Sequence, residues 1–331
     1  MKENRLLLQK AAYLQHRWMK SKAEKYLKGT VILFTEAIGE AIIALPALRA
    51  MQTELKNTSV FVVTSTFIGE LLKNDFPDWH FRTPEQTRDV TYCETLIDTR
   101  CMGWSIDWIT SVCCDYKIGA DIQDDLHIIY DHLVRSGPFK DTTSACELFN
   151  CFARFLNPDV SIDAVPKLTM PLSSPGKKRI GLVPGAGCNA KRWPKSNFRL
   201  VENWANANHI ETVWFLGPKE VGLEKDLEIQ TCKLRGSLEA SKLLQELGSC
   251  NVVVSNDTAL MHLSAAIGVA TLGIFGPSLP GQWFPYHSPS KYFQHDNAGS
   301  EKGIIIEPDE RYAFWPESSE LIVELENLIT N

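Results

Sequence analysis

Three short stretches of the sequence combine small residues with charged side chains, and each begins at an apolar run typical of a β-strand. The stretches are TEAIGEAIIALPAL (35–48), VPGAGCNAKRWPKSNF (183–198) and VVVSNDTALMHLSAAIGVATLGIFGPSLP (252–280). In open α/β sheets, ligands bind beside the loops that follow the carboxyl ends of the strands. We therefore expect all three stretches to take part in ligand binding.

The second stretch has the composition of a phosphate site. Gly185 and Gly187 leave backbone N–H groups accessible, and Lys191 adds a compact positive charge that pairs well with phosphate. Arg192 follows directly and either assists Lys191 or faces water. The alternative for the whole stretch is a turn with a solvated basic tip.

The third stretch places a carboxylate at the start of a helix. Asp257 and Thr258 follow a buried strand and precede a helix with a small, apolar face, and a helix start binds anions such as phosphate. The alternative for Asp257 is a structural N-cap. His262 lies five residues further on, a little over one turn of about 3.6 residues. It either packs beneath the loop or contacts the substrate.

The first stretch offers a candidate general base. Gly39 permits a close approach of the backbone, and Glu40 opens a helix, where its charge suits the helix dipole. That dipole interaction alone is the structural alternative to a role for Glu40 as a base at the mouth of a cleft.

Several other chemistries lack their motifs. No G-x-G-x-x-G motif follows the first predicted strand, which argues against hydride transfer with a bound dinucleotide. No G-x-x-x-x-G-K-[ST] motif occurs, which argues against phosphoryl transfer by a P-loop enzyme. No D-x-D motif is present, and we expect no catalytic metal.

The composition is that of a soluble two-domain protein. The chain has 331 residues, of which 44% are hydrophobic and 22% are charged. Nine cysteines without a C-x-x-C pair argue against a disulfide framework and a zinc ribbon. No apolar run is long enough to span a bilayer, and no secretory signal pattern opens the chain. These features predict a cytoplasmic protein.

Residues 1–28 carry an unusual positive charge. They hold eight Lys or Arg and two Glu, a net charge of +6, which leaves −12 on the remainder of a chain whose total is −6. Leu7, Ala11, Leu14 and Trp18 recur at helical spacing and predict a basic amphipathic helix. It either packs on the protein's own surface or makes a peripheral contact with an anionic inner membrane. No basic stripe occurs elsewhere, so we do not expect nucleic acid as a partner.

Alternation of apolar runs and helical stretches predicts two α/β domains. Predicted strands lie at 30–34, 59–65, 179–183, 212–217, 251–255 and 270–275. The predicted organisation is a basic helix (1–28), a first domain (29–156), a proline-rich linker (157–178) and a second domain (179–331) whose terminal helix lies near 316–329. The topology of 66–155 stays open. Two such halves predict a deep cleft between the carboxyl ends of two sheets.

These stretches, in this order, resemble glycosyltransferase family 9, the ADP-heptose:lipopolysaccharide heptosyltransferases, and within it the heptosyltransferase II-like branch. The similarity covers most of 31–280 and is strongest in PGAG, AKRWP, FLGPKE, SNDTALMH and GPSLP. The resemblance implies an α/β fold of the GT-B type, in which two Rossmann-like domains face each other across a cleft. It also implies an inverting transfer of heptose from ADP-heptose to a glycolipid or glycan acceptor, with neither metal nor cofactor.

The resemblance also implies roles for individual residues. Glu40 takes the position of the base, and Lys191 that of the residue that neutralises the donor diphosphate. The implied acceptor side comprises Thr35, Gly39 and Glu40, and the implied donor side comprises Gly185, Gly187, Lys191, Arg192, Asp257, Thr258, Ala259 and His262. Glu40 stands where the family has Asp, and Ala259 stands where it has Gly. The alternatives are a heptosyltransferase with a protein acceptor, a non-catalytic nucleotide-sugar binder and a GT-B sugar epimerase.

Overall fold

We describe the protein from a computed structural model. The described residues are 26–99, 108–120, 129–134, 144–170, 176–217, 220, 229, 232–235, 239–285, 289–294 and 315–330. The chain forms two compact units. The first unit comprises Met1–Ala37, Ala47–Gly137 and Glu147–Ile162, and the second unit comprises Ile38–Pro46, Pro138–Cys146 and Asp163–Asn331.

Each unit contains a sheet of six parallel strands. The first sheet consists of β1 (Tyr26–Leu33), β2 (Val60–Val63), β3 (Trp79–Arg82), β4 (Tyr92–Asp98), β5 (Cys113–Ala120) and β6 (His132–Val134). The second consists of β7 (Arg179–Val183), β8 (Glu211–Leu216), β9 (Cys232–Arg235), β10 (Val252–Asn256), β11 (Ala270–Phe275) and β12 (Lys291–Gln294). Their central strands are continuous apolar runs, as expected for parallel strands covered on both faces.

The described helices connect or flank these strands. They are α1 (Ile38–Ile43), α2 (Leu45–Glu54), α3 (Thr66–Leu72), α4 (Glu147–Leu156), α5 (Lys195–Ala207), α6 (Ala240–Gly248), α7 (Ala259–Ala266), α8 (Pro280–Trp283) and α9 (Ser318–Thr330). None of the helices in this part of the chain is both long enough and apolar enough to cross a membrane.

The two sheets share one topology. The strand order is β3-β2-β1-β4-β5-β6 in the first sheet and β12-β11-β10-β7-β8-β9 in the second. In each, the chain builds outward from a central strand in one direction and then returns to build in the other. This is the Rossmann-like order, which confirms the predicted α/β class with two such domains. The order reverses between β1 and β4 and between β7 and β10, and ligands bind at such switch points.

Aromatic packing fixes the loop that leaves β7. The Trp193 ring is buried and meets Phe198 of α5 edge-on, with ring centroids 5.1 Å apart. Phe198 in turn lies 6.1 Å from the Trp214 ring on β8. The Trp193 indole N–H donates to the carbonyl oxygen of Pro316 at 3.1 Å. These contacts anchor the residues that directly follow Lys191.

The amino-terminal part of the fold differs from its prediction. β1 begins at Tyr26, so Tyr26–Lys28 belong to a strand and not to the end of a helix. Residues 1–25 of the predicted basic helix lie outside the described residues. The single helix predicted after β1 is two helices, because Pro46 has no N–H and its ring clashes with the carbonyl group one turn earlier.

The second unit also includes segments that the prediction placed elsewhere. Ile38–Pro46 and Pro138–Cys146 belong to it, although both fall within the predicted first domain. The reason for the first segment is tertiary: a Cβ atom at Gly39 would lie 3.6 Å from the Cα atom of Ala259 at the start of α7. Within the predicted linker, the Leu168 N–H donates to the carbonyl oxygen of Ala266 at 2.9 Å. This part of the linker is therefore bound to the second unit.

Candidate active site

An ion pair joins two of the predicted site residues at the switch point of the second sheet. The Lys191 ammonium donates to Asp257 Oδ2 at 2.7 Å. Lys191 follows β7 in a 3-10 turn, and Asp257 follows β10 directly. The Asp257 side chain is 6% exposed and that of Lys191 is 25% exposed. The carboxylate is thus enclosed, whereas the lysine reaches the surface.

A buried asparagine holds the loops in this position. Asn256, the last residue of β10, donates through Nδ2 to the carbonyl oxygen of Pro184 at 2.9 Å. Its Oδ1 accepts the backbone N–H of Trp193 at 3.1 Å. One side chain therefore ties both ends of the glycine loop, residues 184–193, to the end of β10, directly before Asp257. We assigned Asn256 no role from the sequence, although its place at the carboxyl end of a central strand was a usable signal.

The start of α7 lies beside this ion pair. Thr258 is the N-cap residue, in extended conformation, and among the described residues its side chain makes no capping hydrogen bond. Asp257 pairs with Lys191 and is not the N-cap, so the structural alternative considered for it was wrong. The first N–H groups of a helix have no partners within the helix and suit an anion.

His262 lies at the centre of a cluster of charges. Burial lowers the pKa of this imidazole, and the Lys191 ammonium lowers it further, whereas Asp257 and Glu40 act to raise it. The lowered pKa keeps the side chain neutral near pH 7. A Cβ atom at Gly39 would lie 3.7 Å from His262 Cδ2, so α1 brings Glu40 close to α7. An alanine at position 39 would meet its neighbours at ordinary contact distances, which means that this approach does not require glycine.

Arg192 is held over the glycine loop. Its Nη1 donates to Asn189 Oδ1 at 3.0 Å, and its Nη2 lies 3.4 Å from the carboxylate of Glu220. With its side chain 25% exposed, Arg192 is not the freely solvated residue of the alternative interpretation. We assigned Glu220 no role from the sequence, although it ends the FLGPKE stretch that carries part of the family resemblance.

The two loop glycines have different surroundings. A Cβ atom at Gly185 would lie 2.8 Å from the carboxyl carbon of Glu220, a distance that real Cβ atoms essentially never show. Among the described residues, no atom lies within 4 Å of a Cβ atom placed at Gly187. A side chain at position 185 would thus displace the Glu220 carboxylate, whereas the space at Gly187 is open.

The predicted acceptor-side residues are divided between the units: Thr35 belongs to the first unit, whereas Gly39 and Glu40 belong to the second. Thr35 lines a cavity of about 830 Å³ at the carboxyl ends of β1, β2 and β3. Glu36, the next residue, is buried and lines the same cavity.

Metal-ligating side chains do not cluster in the described part of the chain. No group of three or more His, Cys, Asp or Glu residues there could hold a metal ion. That the reaction needs no metal stays a prediction.

Comparison with known proteins agrees with the arrangement of the second unit. The model of the family "Glycosyltransferase family 9 (heptosyltransferase)" matches residues 156–303, which include the Lys191 loop and the Asp257 turn. The chain is also similar to lipooligosaccharide heptosyltransferase 2 of Campylobacter jejuni. The two are 25% identical over 278 residues, which make up 78% of this chain and 84% of the relative.

Solved structures show the same fold. A glycosyl transferase family 9 protein from Veillonella parvula aligns with a TM-score of 0.74 and 17% identity, covering 92% of this chain and 97% of that one. The ADP-heptose LPS heptosyltransferase II of Escherichia coli aligns with a TM-score of 0.69 and 15% identity, covering 91% and 98% of the two chains. These similarities confirm the predicted GT-B fold class.

Proposed function

We propose that the chain, whose residues 156–303 match the model of glycosyltransferase family 9, transfers a heptose from ADP-heptose to a hydroxyl group of a lipopolysaccharide core or a related glycan. A relative named as a lipooligosaccharide heptosyltransferase supports this reaction, as does a structural neighbour named as an ADP-heptose LPS heptosyltransferase. The observation that carries the proposal is the Lys191–Asp257 ion pair beside the start of α7.

The donor diphosphate binds at this ion pair. Lys191 supplies a positive charge, and the first N–H groups of α7, from Thr258 and Ala259 onward, supply hydrogen-bond donors. Asp257 orients the ammonium group through their ion pair of 2.7 Å. Arg192, held by Glu220, adds a second positive charge beside the loop. Together these groups stabilise the negative charge that develops on the leaving ADP. They take the place of the metal ion that other glycosyl transfer sites would need for this stabilisation.

Glu40 acts as the general base. As the acceptor oxygen attacks the anomeric carbon, the Glu40 carboxylate takes the proton of that hydroxyl group. The bond from the anomeric carbon to the diphosphate breaks on the opposite face of the sugar, so ADP leaves and the configuration inverts. Because His262 is neutral, it does not neutralise the Glu40 carboxylate beside it.

The acceptor binds on the first unit, at the carboxyl ends of its strands, where Thr35 lies. The enzyme acts in the cytoplasm without a cofactor. Its basic amino-terminal segment, residues 1–25, contacts the anionic inner membrane.

A panel of nucleotide sugars tests the donor. Stabilisation of the protein against thermal unfolding by ADP-sugars, and not by UDP- or GDP-sugars, is the expected result. A preference for UDP or GDP would overturn the proposal. Release of ADP measured with and without a core oligosaccharide then separates the enzyme from a non-catalytic binder, since only transfer makes ADP release depend on the acceptor.

A further inference from the structure

Another cavity lies at the amino-terminal ends of β7 and β8. It measures about 540 Å³, within the usual range of about 300–1,000 Å³ for small-molecule pockets. Its lining comes from the residues before β7, from the end of α5 and from the start of β8, namely Lys177, Lys178, Asn206, His209, Ile210 and Glu211. These residues all belong to the second unit.

This cavity is separate from the candidate donor site. β7 has five residues, which span about 16 Å at about 3.3 Å per residue. Lys177 and Lys178 precede the first residue of this strand, whereas the loop that bears Lys191 follows its last residue. A ligand in the cavity and a nucleotide at Lys191 would therefore contact different residues, and both could be bound at the same time.

Two lysines give the cavity a positive charge that no partner compensates. Lys177 and Lys178 are exposed, and within the described part of the chain neither side chain forms an ion pair or a hydrogen bond. Since the net charge of the whole chain is −6, this positive charge is a local feature. An ammonium group offers three hydrogen-bond donors and no acceptor, so the two side chains suit an anion.

The carboxylate in the lining does not oppose an anion, because it is already paired. Oε1 of Glu211 accepts hydrogen bonds from the Arg179 guanidinium, from Nε at 3.0 Å and from Nη2 at 2.6 Å. Hydrogen bonds between two charged groups are strong, and this pair lies at the first residues of two neighbouring strands. The negative charge of Glu211 is thus compensated without either lysine.

The end of α5 adds polar side chains that can donate hydrogen bonds. His209 follows the helix with a φ of 57°, the left-handed conformation that glycine usually takes at this position. Its N–H donates to the carbonyl oxygen of Asn206 at 3.1 Å, and the next N–H, that of Ile210, donates to Ala205 at 2.9 Å. Because these carbonyl groups are engaged in closing the helix, its end presents the Asn206 amide and the His209 imidazole to the cavity.

We propose that this cavity binds a phosphate ester, with Lys177 and Lys178 as the residues that pair with the phosphate group. A phosphate carries its negative charge on several acceptor oxygens and so matches two ammonium groups. The cavity is larger than a phosphate group alone, and the buried Ile210 supplies an apolar wall for the organic part of the ligand. Such a group is offered by a soluble phosphorylated compound or by a phospholipid headgroup. This site goes beyond the proposed function and does not depend on its donor or acceptor.

Glycerol 3-phosphate and glycerol, which differ only in the phosphate group, test the proposal. Their binding to the full chain is measured by calorimetry in the presence of saturating ADP, so that the candidate donor site is occupied. Because two flexible lysine side chains must be ordered, we expect a dissociation constant of about 1 mM for glycerol 3-phosphate, and no measurable binding of glycerol. Absence of binding by glycerol 3-phosphate, or equal binding of glycerol, overturns the proposal.

A matched pair of double variants assigns the binding to the cavity. Lys177→Ala/Lys178→Ala is expected to weaken the binding of glycerol 3-phosphate at least about tenfold, because both charges that pair with the phosphate are lost. Lys56→Ala/Lys73→Ala removes the same number of charges from exposed positions of the first unit and should leave the affinity nearly unchanged. Wild-type affinity in Lys177→Ala/Lys178→Ala, or an equal loss in both variants, would contradict a site at this cavity.

Vesicles distinguish the two sources of the phosphate group. Cosedimentation with vesicles of phosphatidylcholine, with and without phosphatidic acid, is compared for the wild type and the two double variants. The amino-terminal basic segment is the same in all three proteins, so its own contact with the membrane cancels in the comparison. If the ligand is a lipid headgroup, Lys177→Ala/Lys178→Ala binds vesicles containing phosphatidic acid more weakly than the control variant does. Equal binding to these vesicles, with the calorimetric loss retained, identifies a soluble phosphate ester as the ligand.

Discussion

Lys191 and Asp257, which are 66 positions apart in the chain, form an ion pair of 2.7 Å at the switch point of the second sheet. The carboxylate is almost fully enclosed, whereas a quarter of the lysine side chain is exposed. An enclosed carboxylate is poorly hydrated and is stable as an anion only beside a partner such as this ammonium group. The pair therefore holds a positive charge at the surface next to the start of α7.

Replacement of this lysine tests both its functional and its structural role. We expect Lys191→Ala to lower kcat/KM about 10- to 100-fold, because the charge that stabilises the leaving diphosphate is lost. The free energy of unfolding should fall by about 1–3 kcal/mol, because Asp257 loses its partner. Steady-state kinetics with ADP-heptose and urea unfolding measure the two effects.

Lys242→Ala serves as the control for Lys191→Ala. Lys242 forms an ion pair of 2.8 Å with Glu246 on α6, and its side chain is half exposed. Loss of such a pair costs about 0.3–0.5 kcal/mol and should leave the kinetics unchanged. If Lys191→Ala also had wild-type kinetics, Lys191 would not belong to the donor site.

Glu40→Gln tests the base. The amide keeps the shape of the side chain but cannot take a proton, so kcat should fall about 10²- to 10⁴-fold. Binding of ADP, measured by calorimetry, should stay nearly unchanged, since Glu40 is assigned to the acceptor. The control is Glu70→Gln, on the exposed face of α3, where Glu70 pairs with Lys73. Transfer at the wild-type rate by Glu40→Gln would exclude Glu40 as the base.

Two glycine substitutions form a matched pair. Gly185→Ala places a methyl group 2.8 Å from the carboxyl carbon of Glu220 and should displace this side chain from Arg192. We expect a loss of about 1–3 kcal/mol in the free energy of unfolding, together with weaker binding of ADP. Gly187→Ala meets no described atom within 4 Å and should change stability by less than about 0.5 kcal/mol. Equal effects of the two substitutions in urea unfolding would show that Glu220 does not constrain the loop.

The strands nearest the candidate site were the easiest to predict from the sequence. β7 and β11 have the predicted bounds, 179–183 and 270–275, because both are uninterrupted apolar runs buried in the middle of a sheet. No strand was predicted at β3, β4, β5 and β6, which lie within 66–155, or at β9 and β12. β3 and β6 are short and expose part of their side chains, so they carry little periodicity. β4 is largely buried, but a polar Glu94 and Thr95 interrupt its apolar run.

The candidate site was predictable where a charged residue lies in a loop that leaves the carboxyl end of a strand. Lys191 and Asp257 could be found because parallel strands place their carboxyl ends at one edge. Glu220 and Asn256 lie in the stretches FLGPKE and SNDTALMH, but they were assigned no role, because their roles depend on which loops the folded chain brings above them. The packing of Gly39 on Ala259 is a tertiary contact between distant segments, and no local sequence pattern predicts it.

The buried imidazole of His262 should make stability depend on pH. Its pKa is lowered in the folded protein from an ordinary value of 6.5, chiefly by burial, so the unfolded chain binds a proton at a higher pH than the folded one. The free energy of unfolding is therefore expected to fall as the pH decreases from about 6.5 toward the lowered pKa, and this contribution is absent above 6.5. His262→Asn should unfold with a flatter dependence on pH between 8 and 5.5 in thermal melts, whatever its stability at pH 8. His209→Asn removes an exposed histidine at a positive φ of 57°, where asparagine is well tolerated, and should keep the wild-type slope. If the stability of His262→Asn also depended on pH as that of the wild type does, groups other than His262 would determine how the stability falls in acid.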